Sequence, residues 1–162
     1  MILDLENLSK ELVIKLKLNS LKLGTAESCT GGMIAQYLTM HAGSSEIFSS
    51  GLVTYSNESK INLLGIKELE IKKYGAVSKE VASAMALNLL KQNNIDISIA
   101  VSGIAGPGGG TEEKPVGLVH HVMAIKNKLI HKELIYNGDR ETIRKQTVQT
   151  CLKLILSEIS HL

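Results

Sequence analysis

Aromatic side chains are nearly missing from this chain of 162 residues: 3% are Phe, Trp or Tyr, with no tryptophan and one phenylalanine. That scarcity excludes the stacking platforms that grip single-stranded nucleic acid. The core must be made of Leu, Ile, Val and Ala, and 44% hydrophobic residues suffice for one. An excess of either charge is also lacking. The net charge is +2 and the basic residues are scattered, which gives no electrostatic ground for nucleic-acid or membrane binding. Cysteine is scarce. Cys29 and Cys151 lie far apart, form no disulfide framework, and read as free thiols in a reducing compartment. Long apolar runs are absent. The N-terminal "MILDLENLSKELVIKLKL" is broken by acids and lysines, so it has neither a signal-peptide core nor a spanning segment. A cytoplasmic, soluble protein of one domain over residues 1–162 is expected.

What is present is alternating helix and strand patterning. Leu5, Leu8, Leu12 and Leu16 recur at helical spacing and predict an amphipathic helix over 3–18. Strands are predicted over 21–26, 51–56 and 95–103, the last being the clearest buried strand. Helices are predicted over 32–40, after the Gly31-Gly32 pair, and over "NESKINLLG" with Gly65 as its stop. Another short helix covers 67–74, and Ser78 can cap one running to about Lys91. Residues 116–125 and 129–136 read as two strands around a tight Asn127-Lys128 turn. Asp139 can cap a long last helix with Ile143, Cys151, Ile155 and Ile159 facing inward. The pattern predicts a single three-layer α/β domain: a mixed, mostly parallel sheet with an antiparallel edge and helices on both faces.

Several familiar catalytic signatures are lacking. "GIAGPGGGTEEKP" (103–115) follows a strong strand but is no P-loop, since no Gly-Lys-Ser/Thr follows. It is not the dinucleotide fingerprint either, because after Gly106 and Gly108 the third glycine position is Thr111. There is no G-x-S-x-G. None of the five histidines sits in a metal-ligand spacing. The glycines of 106–110 still let backbone N–H groups approach a ligand closely, so the segment reads as a ligand loop rather than a mere connection.

"AESCTGG" (26–32) lies where a strand gives way to a helix. Ser28 or Thr30 can simply cap that helix. The same geometry also offers unpaired N–H groups for a phosphate or for the oxyanion of an acyl-transfer intermediate. A serine nucleophile then needs a base. "GLVTYSNESK" supplies Tyr55 and, five residues on, Lys60. On pattern alone Tyr55 reads as a core residue and Lys60 as a surface charge. A lysine among apolar neighbours can nevertheless lose its proton near neutral pH and act as a general base.

Taken together, "TAESCTGG" (25–32), "AGSSEIFSSGLVTYSNESK" (42–60), "YGAVSKE" (74–80), "VSGIAGPGGGTEEKPVG" (101–117) and "GDRETIRKQT" (138–147) resemble the CinA C-terminal domain family of nicotinamide-nucleotide amidases. The stretches follow in order over nearly the whole chain. The resemblance implies one such domain, without the larger molybdopterin-domain-like N-terminal part of full CinA proteins. It implies hydrolysis of the carboxamide of nicotinamide mononucleotide to nicotinate mononucleotide and ammonia, with no metal and no cofactor. By analogy with serine β-lactamases, the nucleophile is Ser28 and its partners are Lys60 and Tyr55, which reverses the pattern-based reading of those two.

Substrate binding is expected of Cys29, Thr30, Gly31 and Gly32, whose N–H groups can hold an oxyanion. It is also expected of Gly103, Ala105, Gly106, Gly108 and Thr111 in the glycine loop. Arg140 and Arg144 are candidates for the 5′-phosphate, because a guanidinium grips phosphate bidentately. The family suggests a homodimer. Two readings compete with the amidase: a nucleotide-binding module without turnover, and a different hydrolase, for example a phosphatase-like enzyme using the same pocket.

Overall fold

A computed structural model describes residues 4–92 and 94–161. In chain order the elements are α1 (Leu5–Leu18), β1 (Leu23–Glu27), α2 (Met33–Thr39), β2 (Phe48–Val53), α3 (Asn57–Leu64), α4 (Glu68–Tyr74), α5 (Lys79–Gln92), β3 (Ile97–Gly103), β4 (Leu118–Ile125), β5 (Lys128–Ile135) and α6 (Arg140–Ile159). The expected start of the first helix at residue 3 falls outside the described residues. Among those described, no helix is long and apolar enough to cross a membrane.

The five strands form one sheet in the order β2-β1-β3-β4-β5. β1 pairs in parallel with β2 and β3, while β3–β4 and β4–β5 are antiparallel. Four of the five strands therefore run the same way, as the patterning led one to expect. The strand readings needed small corrections. β2 begins at Phe48 rather than 51, because Phe48, Ser50 and Leu52 turn inward in the alternation of a half-buried edge strand. The hairpin turn lies at Lys126-Asn127, one residue earlier than expected, since Ile125 pairs with Lys128 and Lys126 takes the left-handed conformation.

Side-chain alternation divides the core in two. Leu23, Ile97, Ile99, Val101, Val119 and Met123 face α1, α2 and α6. Ala26, Ala100, Val122 and Ala124 face α5, whose Val81, Met85 and Leu89 are fully buried against them. The small alanines on that face let α5 lie close to the sheet. Helix ends follow their local chemistry. Ser78 Oγ accepts from Val81 N at 3.2 Å, Asp139 accepts from Thr142 N at 2.8 Å, and Gly65 closes α3 in the left-handed conformation. Strand order reverses at β1, with β2 on one side and β3 on the other. In an open α/β sheet this is where a crevice forms beyond the C-terminal strand ends.

Candidate active site

The loops after β1, β2 and β3 meet in a cleft of about 270 Å³. The turn after β1 contributes Ser28 and Cys29, the β2–α3 corner Tyr55, α3 Lys60, and the α4–α5 connection Ala76 and Val77. The end of β3 and its loop contribute Ser102 to Gly106, Gly108 and Gly109, and α6 contributes Arg140.

Among the described residues, Lys60 is the largest fully buried side chain, at 1% exposure. Ser56 caps α3 by accepting from Ser59 N at 3.0 Å, which sets Lys60 one turn into the helix. Helical side chains lean towards the helix N-terminus, so its ammonium swings back to the corner. There Nζ donates to Thr54 O at 2.6 Å, to Tyr55 O at 3.3 Å and to Ser28 Oγ at 3.0 Å. Burial pushes its pKa down from 10.5 to about 8. Two carbonyls thus orient the amine, and its third direction is aimed at the serine. When neutral, it can accept the serine proton and keep both carbonyl bonds.

Ser28 sits directly after β1, its own N–H held by Val101 O at 3.1 Å. The helix that follows is not capped by Ser28 or Thr30. The cap is Glu27, a buried carboxylate that the sequence reading missed. Its Oε2 accepts from Thr30 Oγ1 at 2.6 Å, Gly32 N at 3.0 Å and Ile34 N at 3.0 Å, and its Oε1 from Ala35 N at 2.9 Å. The visible signal was an acid closing an otherwise apolar strand. Glu27 uses the donors of the α2 start, and Gly31 N donates to Ser28 O. Among the described residues, only Cys29 and Thr30 of the expected oxyanion group have backbone N–H groups that donate to no other residue.

Cys29 lines the cleft but is 5% exposed. Burial pushes its thiol up to about 12, so it stays protonated at neutral pH. Tyr55 is 58% exposed rather than a core residue. Only its backbone carbonyl meets Lys60, while its phenol oxygen accepts from Arg140 Nη2 at 2.8 Å. Arg140 Nη1 donates to Gly106 O at 2.8 Å, so this arginine joins the corner to the glycine loop. Gly103 and Gly106 are needed sterically. A Cβ on Gly103 would lie 2.7 Å from Leu118 O, and Gly106 has a φ of 76° with Val116 2.5 Å from any added Cβ.

The remaining candidates stand away from the cleft lining. Thr30 is fully buried beneath Glu27, and Gly31 and Gly32 form the turn into α2. Arg144 Nη2 donates to Thr30 O at 2.7 Å, which makes it a brace for that turn. Thr111 closes a small turn in which its N–H donates to Lys114 O at 2.8 Å and its Oγ1 accepts from Lys114 N at 3.0 Å. The structure adds Ser102, whose hydroxyl donates to Ala76 O at 2.7 Å and so joins β3 to the α4–α5 connection. One histidine expectation changes. No spacing in the sequence marks a ligand set, yet folding gathers His120, His131 and Glu133 on the β4–β5 hairpin.

A family profile described as the CinA C-terminal domain matches residues 5–159. A competence-damage inducible protein of Thermoanaerobacter pseudethanolicus is 47% identical over 147 residues, covering 90% of this chain and 36% of that protein. One from Clostridium beijerinckii is 46% identical over 153 residues, 94% of this chain and 37% of its own length. The chain thus spans little more than a third of these curated relatives. Among solved structures, the competence/damage inducible protein CihA of Agrobacterium tumefaciens superposes with a TM-score of 0.92 at 42% identity, covering 95% of this chain and 94% of that one. A CinA-superfamily protein of Klebsiella pneumoniae gives 0.94 at 30% identity, over 98% and 99%. These names refer to competence and damage; none of them states an amidase activity.

Proposed function

The chain belongs to the CinA C-terminal domain family, and from that premise we propose that its cleft hydrolyses the carboxamide of nicotinamide mononucleotide to nicotinate mononucleotide and ammonia. The observation that carries this reading is the buried, desolvated Lys60 amine 3.0 Å from Ser28 Oγ. A neutral amine has two N–H groups, enough for both carbonyl bonds, so those bonds do not require the charge. As a base of pKa about 8 beside a hydroxyl it has a clear chemical use.

In the proposed reaction Ser28 Oγ attacks the amide carbon as its proton passes to Lys60 Nζ. The carbonyl oxygen becomes an oxyanion facing the N–H group of Cys29, which lines the cleft. Collapse breaks the C–N bond, and Lys60 returns the proton to the departing nitrogen, which leaves as ammonia. Water then attacks the acyl-serine with Lys60 again as base, which releases the carboxylate and restores Ser28. Tyr55 serves as a positioning residue: its carbonyl orients the amine and its phenol anchors Arg140. Arg140 and the N–H groups of the glycine loop are the proposed hold on the 5′-phosphate. Ammonia release from nicotinamide mononucleotide, with and without a chelator, tests this. Chelator-independent release supports it. Binding without release would favour the module without turnover.

A further inference from the structure

The antiparallel edge of the sheet carries a cluster that the reaction does not use. His120 on β4 pairs directly with Glu133 on β5, and Val122, two residues on, pairs with His131. Side-chain alternation therefore puts His120, His131 and Glu133 on the same face of the hairpin, the face that packs against α5. His120 Nδ1 lies 3.0 Å from His131 Nε2 and 3.7 Å from Glu133 Oε2, and the three ligand atoms are all within 4.8 Å of one another. Zinc bonds of about 2.0–2.1 Å in a tetrahedron put neighbouring ligand atoms about 3.3 Å apart. The two separations from His120 Nδ1 are close to that spacing before any ion binds.

We propose that His120, His131 and Glu133 form a three-ligand site for one divalent transition-metal ion of the zinc class, distinct from the catalytic cleft. Two imidazoles and a carboxylate are borderline ligands. They favour zinc, nickel or copper over the harder magnesium and calcium, which prefer all-oxygen sets. On binding, the proton shared in the ring–ring contact moves to an outer nitrogen, which leaves the two inner lone pairs to the ion. The Glu80 carboxylate also bears on the rings, and Lys79 and Lys114 oppose an added charge. His120 is buried, while Glu133 is 57% exposed and leaves a path for entry. His121, the next residue, offers a contrast. Its Nδ1 is near Lys132 O at 3.3 Å and its Nε2 near Tyr136 OH at 3.0 Å, so both its nitrogens are already engaged.

The site lies one strand from the cleft wall. His120 pairs across β3–β4 with Ser102, which lines the cleft. Occupation would pin β5, an edge strand, to β4. The test is zinc titration of metal-stripped protein against a chromophoric chelator, paired with thermal unfolding. One zinc per chain is expected, with a higher Tm in zinc and none in magnesium. His131→Ala and Glu133→Gln, both on the accessible side, should each weaken zinc by about tenfold or more, and His161→Ala should not. Absence of stoichiometric binding, or equal affinity in wild type and His131→Ala, overturns the site.

Discussion

Arg140 Nη2 donates to the Tyr55 phenol at 2.8 Å and ties the first residue of α6 to the corner between β2 and α3. The same guanidinium holds Gly106 O. It thus stands where the two lips of the cleft meet, with donors to spare for an anion. Arg140→Ala should raise KM for nicotinamide mononucleotide about tenfold or more. The riboside, which lacks the phosphate, should suffer less. Equal losses for both substrates would make Arg140 a strut between loops and nothing more.

Lys60→Met should lower kcat about 10³-fold and leave KM little changed, since the amine moves protons in the transition state rather than holding the ground state. Tyr55→Phe keeps the backbone carbonyl that orients Lys60 and loses only the Arg140 contact, so its kcat should fall far less. Steady-state kinetics on the two variants compare the base with its neighbour. A larger kcat loss in Tyr55→Phe would move the base to the phenol.

The Lys60 shift carries a pH signature of both activity and stability. The neutral amine is the active form, so kcat/KM should rise with pH and level off above about 8. Stability follows the same direction. A lysine whose pKa falls from 10.5 to about 8 on folding contributes stability that is fully present above 10.5 and lost as the pH falls through about 8. The cost at neutral pH is about 3 kcal/mol. Lys60→Met removes that cost but leaves Thr54 O and Ser28 Oγ without their donor, so the signature is in the pH dependence: the stability of wild type relative to Lys60→Met should rise between pH 8 and 10.5. A stability difference that does not change over that range would contradict this.

Glu27→Gln should be the most damaging conservative change near the cleft. The carboxylate accepts four hydrogen bonds in a buried position, and an amide must turn a donor towards one of those donors. A loss of about 3 kcal/mol in denaturant unfolding is expected, with kcat falling as Ser28 shifts. An unchanged Tm would show that α2 starts without Glu27.

The order of elements was legible because hydrophobic periodicity, Gly65, Ser78 and Asp139 all act locally. The cleft was less so. Lys60 looks like a surface charge in "NESKINLL" because its burial comes from the helix turning its side chain back onto Ser28 and Thr54. Glu27 escaped notice because its four donors come from the turn and helix that follow it, and the helix caps that sequence suggests are Ser, Thr and Asp. Thr30 and Arg144 were read towards the substrate, yet fold inward to brace the same turn. His120 and His131 meet only through hairpin register.

The central claim is that Ser28, not the adjacent Cys29, attacks the amide. Cysteine is the stronger nucleophile in principle, but here burial holds it as a thiol, while Lys60 Nζ lies 3.0 Å from Ser28 Oγ. The most direct measurement is ammonia release from nicotinamide mononucleotide by wild type, Ser28→Ala and Cys29→Ala in chelator. The expected result is near-complete loss in Ser28→Ala and substantial activity in Cys29→Ala; the reverse pattern, or no release from wild type, would contradict the account.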